Sequence, residues 1–263
     1  MPLTGFQARL GRLLAGNRSE DSYLAGGAAI LAAPNSRRFS HDLDYFHDTV
    51  AGVATAFAAD RELLTGGGLE VEIEISQPGY IRAVVGDGES VTKIEWAQDS
   101  AWRFMPVMES EDFGFQLHPV DLATNKVLAL AGREEPRDLL DTLFLHETLL
   151  PLGPLVWAAV GKDPGYSPLS LLEMLKRRGR IRQEDLERLD LTGAPDVQRI
   201  KADWTNALQT AEDFIRRRPP AEAGCLYYSP GGGTFVDPDS CGRDDVLPHF
   251  GHPGGILPRM IQG

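Results

Sequence analysis

Polar and apolar side chains alternate in several short runs along the first hundred residues, which is the pattern of half-buried β-strands. The clearest run covers residues 69–75, where valine or isoleucine follows each of three glutamates. Residues 23–33 read as a strand end, a glycine turn and a short helix. Further strands are predicted at residues 40–46, 80–85 and 91–96, and helices at 6–14 and 50–60. We therefore expect a mixed sheet with a few helices here.

The pattern changes at Pro119, after which helical spacing dominates. Helices are predicted at residues 121–132, 138–150, 167–178 and 197–217, with loops at 153–165 and 193–195. Asp121 and Asp138 stand at two predicted helix starts, where a side-chain oxygen can cap free amides. From residue 219 the chain is rich in glycine and proline, and residues 225–228 and 234–236 are expected to pair as a hairpin. The pattern predicts an α+β fold in three parts, residues 1–117, 118–218 and 219–263.

The composition is that of a globular protein of 263 residues, enough for one large domain or two modest ones. Its formal net charge of −12 gives no general attraction for polyphosphate, so a nucleic-acid substrate has to meet a local basic patch or be held through metal ions. The longest apolar stretches are too short to span a bilayer, and residues 1–14 form an amphipathic pattern rather than a signal peptide. Cys225 and Cys241 give no sign of an oxidising compartment. We expect a cytoplasmic protein with no membrane partner.

Two aspartates in the predicted strand 40–46 are the main candidates for chemistry. On a strand, Asp42 and Asp44 point to one face, while Leu43 and Tyr45 point to the opposite, core-facing side. Carboxylates about 6–7 Å apart on one strand face repel each other unless a cation lies between them, and Mg²⁺ with oxygen ligands meets that need. Taken alone such a pair is a weak signal, because exposed aspartates on strands are usually only solvated.

A glycine turn precedes this strand. Gly26 and Gly27 stand before a short predicted helix, where backbone amides can approach a phosphate closely. Ser40 adds a short hydroxyl donor near the two aspartates. The ordered set of glycine turn, helix and acidic strand is more informative than any of its members.

That set resembles a known family. Residues 23–27 (YLAGG), followed by Arg38, Ser40 and residues 42–46 (DLDYF), resemble the first motif of the AbiEii/MNT-type nucleotidyltransferases, toxins with the DNA-polymerase-β-like fold. Residues 119–133 (PVDLATNKVLALAGR) resemble that family's helical motif with lysine and arginine. Residues 136–141 (PRDLLD) resemble its closing RDxxD motif, and the whole match covers about half of the chain.

The resemblance implies a two-metal site for a nucleoside triphosphate. It implies two Mg²⁺ ions held by Asp42, Asp44 and a third acid. The groups that it implies for the nucleotide are Gly26, Gly27, Ser40, Lys126 and Arg133. It also implies the domain roles: a nucleotidyltransferase sheet flanked by helices in residues 1–117, a helical domain completing the active site in 118–218, and a tail in 219–263.

Glu95 is the predicted third acid. It lies in residues 93–96 (KIEW), which resemble the family's strand with a central aspartate, and alternation places Ile94 and Trp96 in the core and Glu95 on the other face. A glutamate in place of that aspartate has a longer side chain, which must retract to ligate the same ion. Glu72 and Glu74 compete for the role, although they read more as the solvated face of an edge strand.

Lys126 and Arg133 are seven residues apart and therefore share one helix face. They are either solvated cations of an amphipathic helix or, by the resemblance, a lysine that meets the triphosphate and an arginine that orients phosphate or braces Asp138. The resemblance also places Asp138, and less firmly Asp141, in the active site, although Asp138 has a sufficient role as a helix cap. Without nucleotide, the Lys126 ammonium is expected near Asp138, and Lys126→Ala is expected to leave the fold intact.

The function implied is metal-dependent transfer of a nucleoside monophosphate to an RNA (tRNA) or protein hydroxyl, by the toxin of a toxin–antitoxin pair with an antitoxin protein as partner. Two alternatives stay open: a non-catalytic member of the fold that binds a nucleotide or a partner, and an aminoglycoside-type enzyme acting on a small molecule. No zinc site or cysteine nucleophile is predicted, because the histidines lack metal-ligand spacing and the cysteines lie far from the motifs.

Overall fold

The computed structural model describes residues 3–31, 39–40, 42–189, 191, 193, 195–241 and 245–259. Arg38, which belongs to the first family motif, lies outside the described residues. The chain divides into two compact units. One comprises Met1–His118 and Pro253–Gly255, and the other comprises Pro119–His252 and Ile256–Gly263.

The first unit is built around a mixed β-sheet. Its elements are α1 (Gly5–Leu14), β1 (Ser22–Ala25), α2 (Gly26–Leu31), β2 (Asp42–His47), α3 (Val50–Gly66), β3 (Glu70–Gln77), β4 (Tyr80–Gly86), β5 (Val91–Gln98), β6 (Trp102–Arg103), β7 (Met108–Ser110) and β8 (Gly114–Gln116). Within the described residues the sheet has seven strands in the order β3-β4-β5-β2-β1-β8-β7. The pairs β1–β8 and β2–β5 are parallel and the other pairs antiparallel. The α+β class expected from the sequence is confirmed.

One face of this sheet forms the core of the first unit. Leu43 and Tyr45 of β2 alternate inward with Ile94 and Trp96 of β5, and all four are fully buried. Apolar side chains of α1 and α3 belong to the same cluster. Burial of every second strand residue leaves the intervening ones, among them Asp42, Asp44 and Glu95, on the opposite face.

A buried ion pair fixes two strands from within this core. The Arg18 guanidinium lies 2.5 Å from both carboxylate oxygens of Asp60, and both side chains are fully buried. The Trp96 indole donates to Asp60 at 2.7 Å, and Arg18 stacks 4.3 Å from the centroid of the Tyr45 ring. Tyr45 and Trp96 are partners in the parallel register of β2 and β5. Because these two residues directly follow Asp44 and Glu95, the cluster helps to set where the two acids stand.

The second unit is mainly helical. Its elements are α4 (Pro119–Gly132), α5 (Pro136–Thr148), α6 (Leu152–Lys162), α7 (Pro168–Arg178), α8 (Gln183–Glu187), α9 (Val197–Arg217), β9 (Cys225–Ser229), β10 (Thr234–Phe235), β11 (Leu247–Phe250) and the short β12 (His252–Pro253), which the first unit shares. Strands β10 and β11 flank β9 in an antiparallel three-stranded sheet. This sheet packs against α6, so the chain after residue 219 contributes to the second unit.

Helix α6 corrects the sequence prediction, because residues 153–165 were expected to form a loop. Every residue from Leu152 to Val160 is buried, so the helix has no polar face and no amphipathic spacing to reveal it. Pro154 lies in the first turn, where a backbone amide needs no helical partner. A side chain at Gly153 would come within 2.8 Å of Phe214 on α9, so this glycine permits close helix packing rather than a turn.

The described residues contain no single helix with the length and apolar character to cross a membrane. Helices α5 and α6 reach that length only as a pair, and the pair is bent by 117°.

Candidate active site

The three predicted acids lie on one face of two neighbouring strands. In the parallel register, Asp42 is the partner of Lys93 and Asp44 is the partner of Glu95. Register partners on adjacent strands stand about 4.8 Å apart and project to the same side. Asp42, Asp44 and Glu95 are half-buried, in contrast to the fully buried residues between them.

The competing glutamates lie farther from the aspartates. Glu72 and Glu74 are exposed on β3, the edge strand, and β4 and β5 separate this strand from β2. Glu74 is 3.8 Å from Lys93, in an ion pair whose members are both well exposed. Of the three glutamates considered, Glu95 alone is on the strand next to the aspartates, and its role as third acid stays a prediction.

The glycine turn lies directly beside Asp44. Strand β1 ends at Ala25, the antiparallel register partner of Asp44, and Gly26 follows with a φ of 64°. This left-handed conformation favours glycine. A Cβ atom at Gly26 would overlap the Asp44 carboxylate, so the absence of a side chain is what lets Asp44 stand there. Gly27 follows in the first turn of α2.

Replacing Gly26 with alanine is expected to destabilise the fold and displace Asp44. Gly68 provides a matched control, because its φ is 77° and a Cβ there would meet nothing within 4 Å. Gly68→Ala should cost only the left-handed strain, about 1–2 kcal/mol, whereas Gly26→Ala should add about 1–3 kcal/mol for the overlap. Urea denaturation of both variants measures the difference. Equal losses would show that Asp44 moves aside freely.

Ser40 supports the start of β2. Its hydroxyl donates to the Asp42 main-chain oxygen at 3.0 Å, and its own carbonyl accepts from the Gln7 side chain at 3.0 Å. Gln7 also donates to the Thr92 hydroxyl on β5 at 3.1 Å and closes a capping box with Thr4. The hydroxyl hydrogen of Ser40 is therefore engaged with the backbone, and its contact with a phosphate stays a prediction.

Arg82 is a residue of this face that the sequence reasoning missed. It lies on β4 as the antiparallel register partner of Glu95, and its Nε and Nη2 atoms lie 2.9 and 2.8 Å from Glu95 Oε1. Tyr80 stands on the same face, with its ring centroid 5.7 Å from the Arg82 guanidinium. Burial and the Glu95 carboxylate raise the pKa of Tyr80 to about 12. The short turn between residues 86 and 91 makes β4 and β5 a predictable hairpin, so counting its register would have paired Arg82 with Glu95.

The acids of this face have the donor chemistry that a divalent cation needs. Asp42 and Asp44 offer carboxylate oxygens, the ligands that Mg²⁺ prefers. Glu95, the third carboxylate, is engaged by Arg82. Across the described residues, no three or more His, Cys, Asp or Glu side chains are grouped so that they could hold a metal ion.

A buried charge network lies at the junction of α4 and α5 in the second unit. The Lys126 ammonium is 2.8 Å from Asp138 Oδ1 and 3.0 Å from Asp141 Oδ2. Arg133 contacts Asp138 through Nε at 2.6 Å. The side chains of Lys126, Asp138 and Asp141 are 8%, 0% and 2% exposed, whereas that of Arg133 is 51% exposed. The expectation that Lys126 lies near Asp138 is confirmed, and the solvated alternative for Lys126 is wrong.

The interpretation of Asp138 as a helix cap is also wrong. Helix α5 begins at Pro136, so Asp138 is its third residue, and Glu135 occupies the cap position without a side-chain hydrogen bond to the helix. Asp121 likewise lies inside α4, which begins at Pro119. Sequence reasoning placed both starts too late because a proline can open a helix in its first turn. Asp138 is instead held by two cations.

The ion pairs dominate the titration of this network. Burial alone disfavours a charged Lys126, but Asp141 and Asp138 outweigh it and raise the pKa of Lys126 above its ordinary value. Burial would raise the pKa of Asp138, but Lys126 and Arg133 more than offset this effect and lower it. Both groups are therefore held in their charged forms.

No protein-family model and no curated protein sequence matches the chain. Among solved structures, the nucleotidyltransferase toxin MenT4 from Mycobacterium tuberculosis aligns with a TM-score of 0.50 and 18% identity over 81% of this chain and 82% of its own. JHP933 from Helicobacter pylori aligns with a TM-score of 0.46, 18% identity and coverage of 82% and 95%. A further H. pylori protein, described as a nucleotidyltransferase, gives 0.47, 15%, 81% and 96%. At this identity the likeness to MenT4 concerns the fold, and the nucleotidyltransferase fold expected from the motifs is confirmed.

Proposed function

We propose that this chain is a nucleotidyltransferase that moves a nucleoside monophosphate from a nucleoside triphosphate to an RNA hydroxyl, with a divalent cation bound by Asp42 and Asp44. The observation that carries the proposal is the juxtaposition of these two acids on one sheet face with the glycine turn at Gly26, in a nucleotidyltransferase fold. If the two acids lay on different faces, or if a side chain filled the turn at Gly26, the proposal would lose this support.

The chemistry is one substitution at phosphorus. The acceptor oxygen forms a bond to the α-phosphorus, the bond from that phosphorus to the bridging oxygen breaks, and pyrophosphate leaves in line. A divalent cation, when bound, offsets phosphate charge and lowers the pKa of the attacking hydroxyl. Asp42 and Asp44 would hold the divalent cation and so orient the triphosphate. A carboxylate of the same face accepts the hydroxyl proton. Contacts of Lys126 and Arg133 with the nucleotide stay predictions of the family resemblance.

A basic segment favours RNA over a protein acceptor. Residues 176–182 (KRRGRIR) carry five cations in seven positions, in a chain with a net charge of −12. Lys176 pairs with Glu173 and Glu212, and Arg178 pairs with Glu134. Arg177, Arg180 and Arg182 are exposed. Such a cluster suits a sugar–phosphate backbone, which an acidic protein otherwise repels.

The acceptor is tested by supplying each α-labelled nucleoside triphosphate with Mg²⁺, total RNA and RNA-free protein extract. RNA should become labelled, and the double variant Arg177→Glu/Arg180→Glu should raise the KM for RNA at least about tenfold and flatten its salt dependence. Arg199→Glu/Lys201→Glu, an equal charge change at exposed positions of α9, is the control and should have a smaller effect. Label in the protein fraction alone would contradict the RNA acceptor, and no label in any fraction would favour a non-catalytic protein.

The toxin role is a further part of this proposal. MenT4 is described as a nucleotidyltransferase toxin, and the family resemblance implies an antitoxin partner. Expression of the chain in bacteria is expected to arrest growth, and an Asp42→Asn variant made to the same level should not.

A further inference from the structure

One of the candidate catalytic acids is paired with an arginine of the neighbouring strand. Arg82 and Glu95 are register partners on β4 and β5, and Glu95 is in turn the register partner of Asp44. One row across the sheet therefore carries Arg82, Glu95 and Asp44 on the same face. Two guanidinium nitrogens converge on Glu95 Oε1 at 2.9 and 2.8 Å.

The ion pair with Arg82 makes Glu95 a weaker ligand for a metal ion. A carboxylate that already accepts two charge-assisted hydrogen bonds gives up that stabilisation when a divalent ion replaces the arginine. The Arg82 guanidinium stays charged at any working pH, so titration does not release Glu95. The centroid of the Tyr80 ring lies 5.7 Å from the Arg82 guanidinium. Within the described ranges, no group of three or more His, Cys, Asp or Glu side chains is placed so that it could hold a metal ion.

We propose that Arg82 takes the place of a second metal ion, so that the chain binds one divalent cation through Asp42 and Asp44 and uses the Arg82 charge beside it. This inference rests on the proposed function and concerns the number of ions, not the reaction class. It also accounts for glutamate at position 95, where the family pattern has aspartate: the longer side chain reaches across to the neighbouring strand. In phosphoryl transfer an arginine charge can stabilise the phosphate oxygens as an ion does.

The test counts bound Mn²⁺ on the full chain by electron paramagnetic resonance in the absence of nucleotide. The wild-type chain should bind one ion. Arg82→Gln removes the competing charge and should let Glu95 join Asp44, giving two ions per chain. Arg82→Gln combined with Glu95→Gln should return the count to one. Lys93→Gln, which removes an equal charge from the same face without touching Glu95, should leave the count at one.

A second variant keeps the test decisive if Arg82→Gln does not fold. The charge-neutral double variant Arg82→Gln/Glu95→Gln should change the affinity for the single ion by less than about twofold, because neither side chain is its ligand and no charge is left unpaired. Two ions in the wild-type chain, or a tenfold loss of affinity in this double variant, would overturn the inference. Asp42→Asn separates the two claims: if it abolishes Mn²⁺ binding while the wild-type count is two, only this inference fails. If it leaves binding unchanged, the proposed function fails as well.

Discussion

Asp44→Asn is expected to lower nucleotidyl transfer by about 10³-fold or more, which corresponds to several kcal/mol of transition-state stabilisation. Asparagine keeps the shape of the side chain, so the close contact with Gly26 and the strand pairing are retained. It removes the negative charge that would hold a divalent cation against the phosphates. The rate should therefore fall while the urea midpoint changes little. Single-turnover kinetics with labelled nucleotide, beside urea denaturation, measure the two effects separately.

Glu72→Gln is the matched control for this variant. Glu72 lies in the same row of the sheet as Asp42, through Val84 and Lys93, but on the edge strand β3. The change again replaces a carboxylate with an amide on the same sheet, and it should leave the rate within about twofold, as expected for a surface substitution away from the site. If Glu72→Gln and Asp44→Asn lowered the rate equally, the effect would come from the general field of the sheet rather than from a site at Asp44.

Lys126→Met is expected to destabilise the fold by about 3–5 kcal/mol, because removing one partner leaves buried charges uncompensated. Asp138 and Asp141 are both buried, and Lys126 lies within 3.0 Å of each. The sequence-based expectation, that Lys126→Ala leaves the fold intact, assumed a surface lysine, whereas the Lys126 side chain is 8% exposed. Lys176→Met, which breaks much less buried pairs with Glu173 and Glu212, is the control and should move the urea midpoint far less. A small loss of stability in Lys126→Met would mean that water reaches the buried charges of Asp138 and Asp141.

The pH dependence of stability follows from the same network. The pKa of Asp138 is lowered in the fold, so its contribution is present above the ordinary carboxylate value and is lost as the pH falls through the folded value. The pKa of Lys126 is raised, so its contribution is present below the ordinary lysine value and is lost as the pH rises through the folded value. Between these limits the network contributes a constant amount. In Lys126→Met the part of the alkaline loss that comes from Lys126 should disappear, and the acid loss should become smaller.

The alternation of side chains predicted the sheet because it is a local property. Leu43, Tyr45, Ile94 and Trp96 were placed in the core by position alone, and all four are fully buried. The same alternation put Asp42, Asp44 and Glu95 on the other face, but only the parallel pairing of β2 with β5 places Asp44 beside Glu95. A local pattern of side chains does not show which distant strands pair.

Two of the differences between sequence and structure share a physical cause: a residue's environment depends on contacts distant in the chain. Helix α6 was missed because other elements surround it, so its sequence has no polar face by which an amphipathic helix is recognised. The sequence left open whether Lys126 is a solvated cation, because only the packing of α5 shows that Asp138 and Asp141 lie against it. The Asp138 cap failed for a local reason instead, since Pro136 allows the helix to start earlier.

Nucleotidyl transfer by the site at Asp44 is tested by comparing one nucleoside triphosphate labelled at the α-phosphate with the same nucleotide labelled at the γ-phosphate. Both are incubated with the wild-type chain, Mg²⁺ and total RNA, and then with the Asp44→Asn variant. We expect that α-label enters RNA, that γ-label is released as pyrophosphate in equal amount, and that neither occurs with Asp44→Asn. Transfer of γ-label to the acceptor would identify a phosphotransferase, and α-transfer that survives in Asp44→Asn would remove Asp44 from the active site. Either result would contradict the central claim.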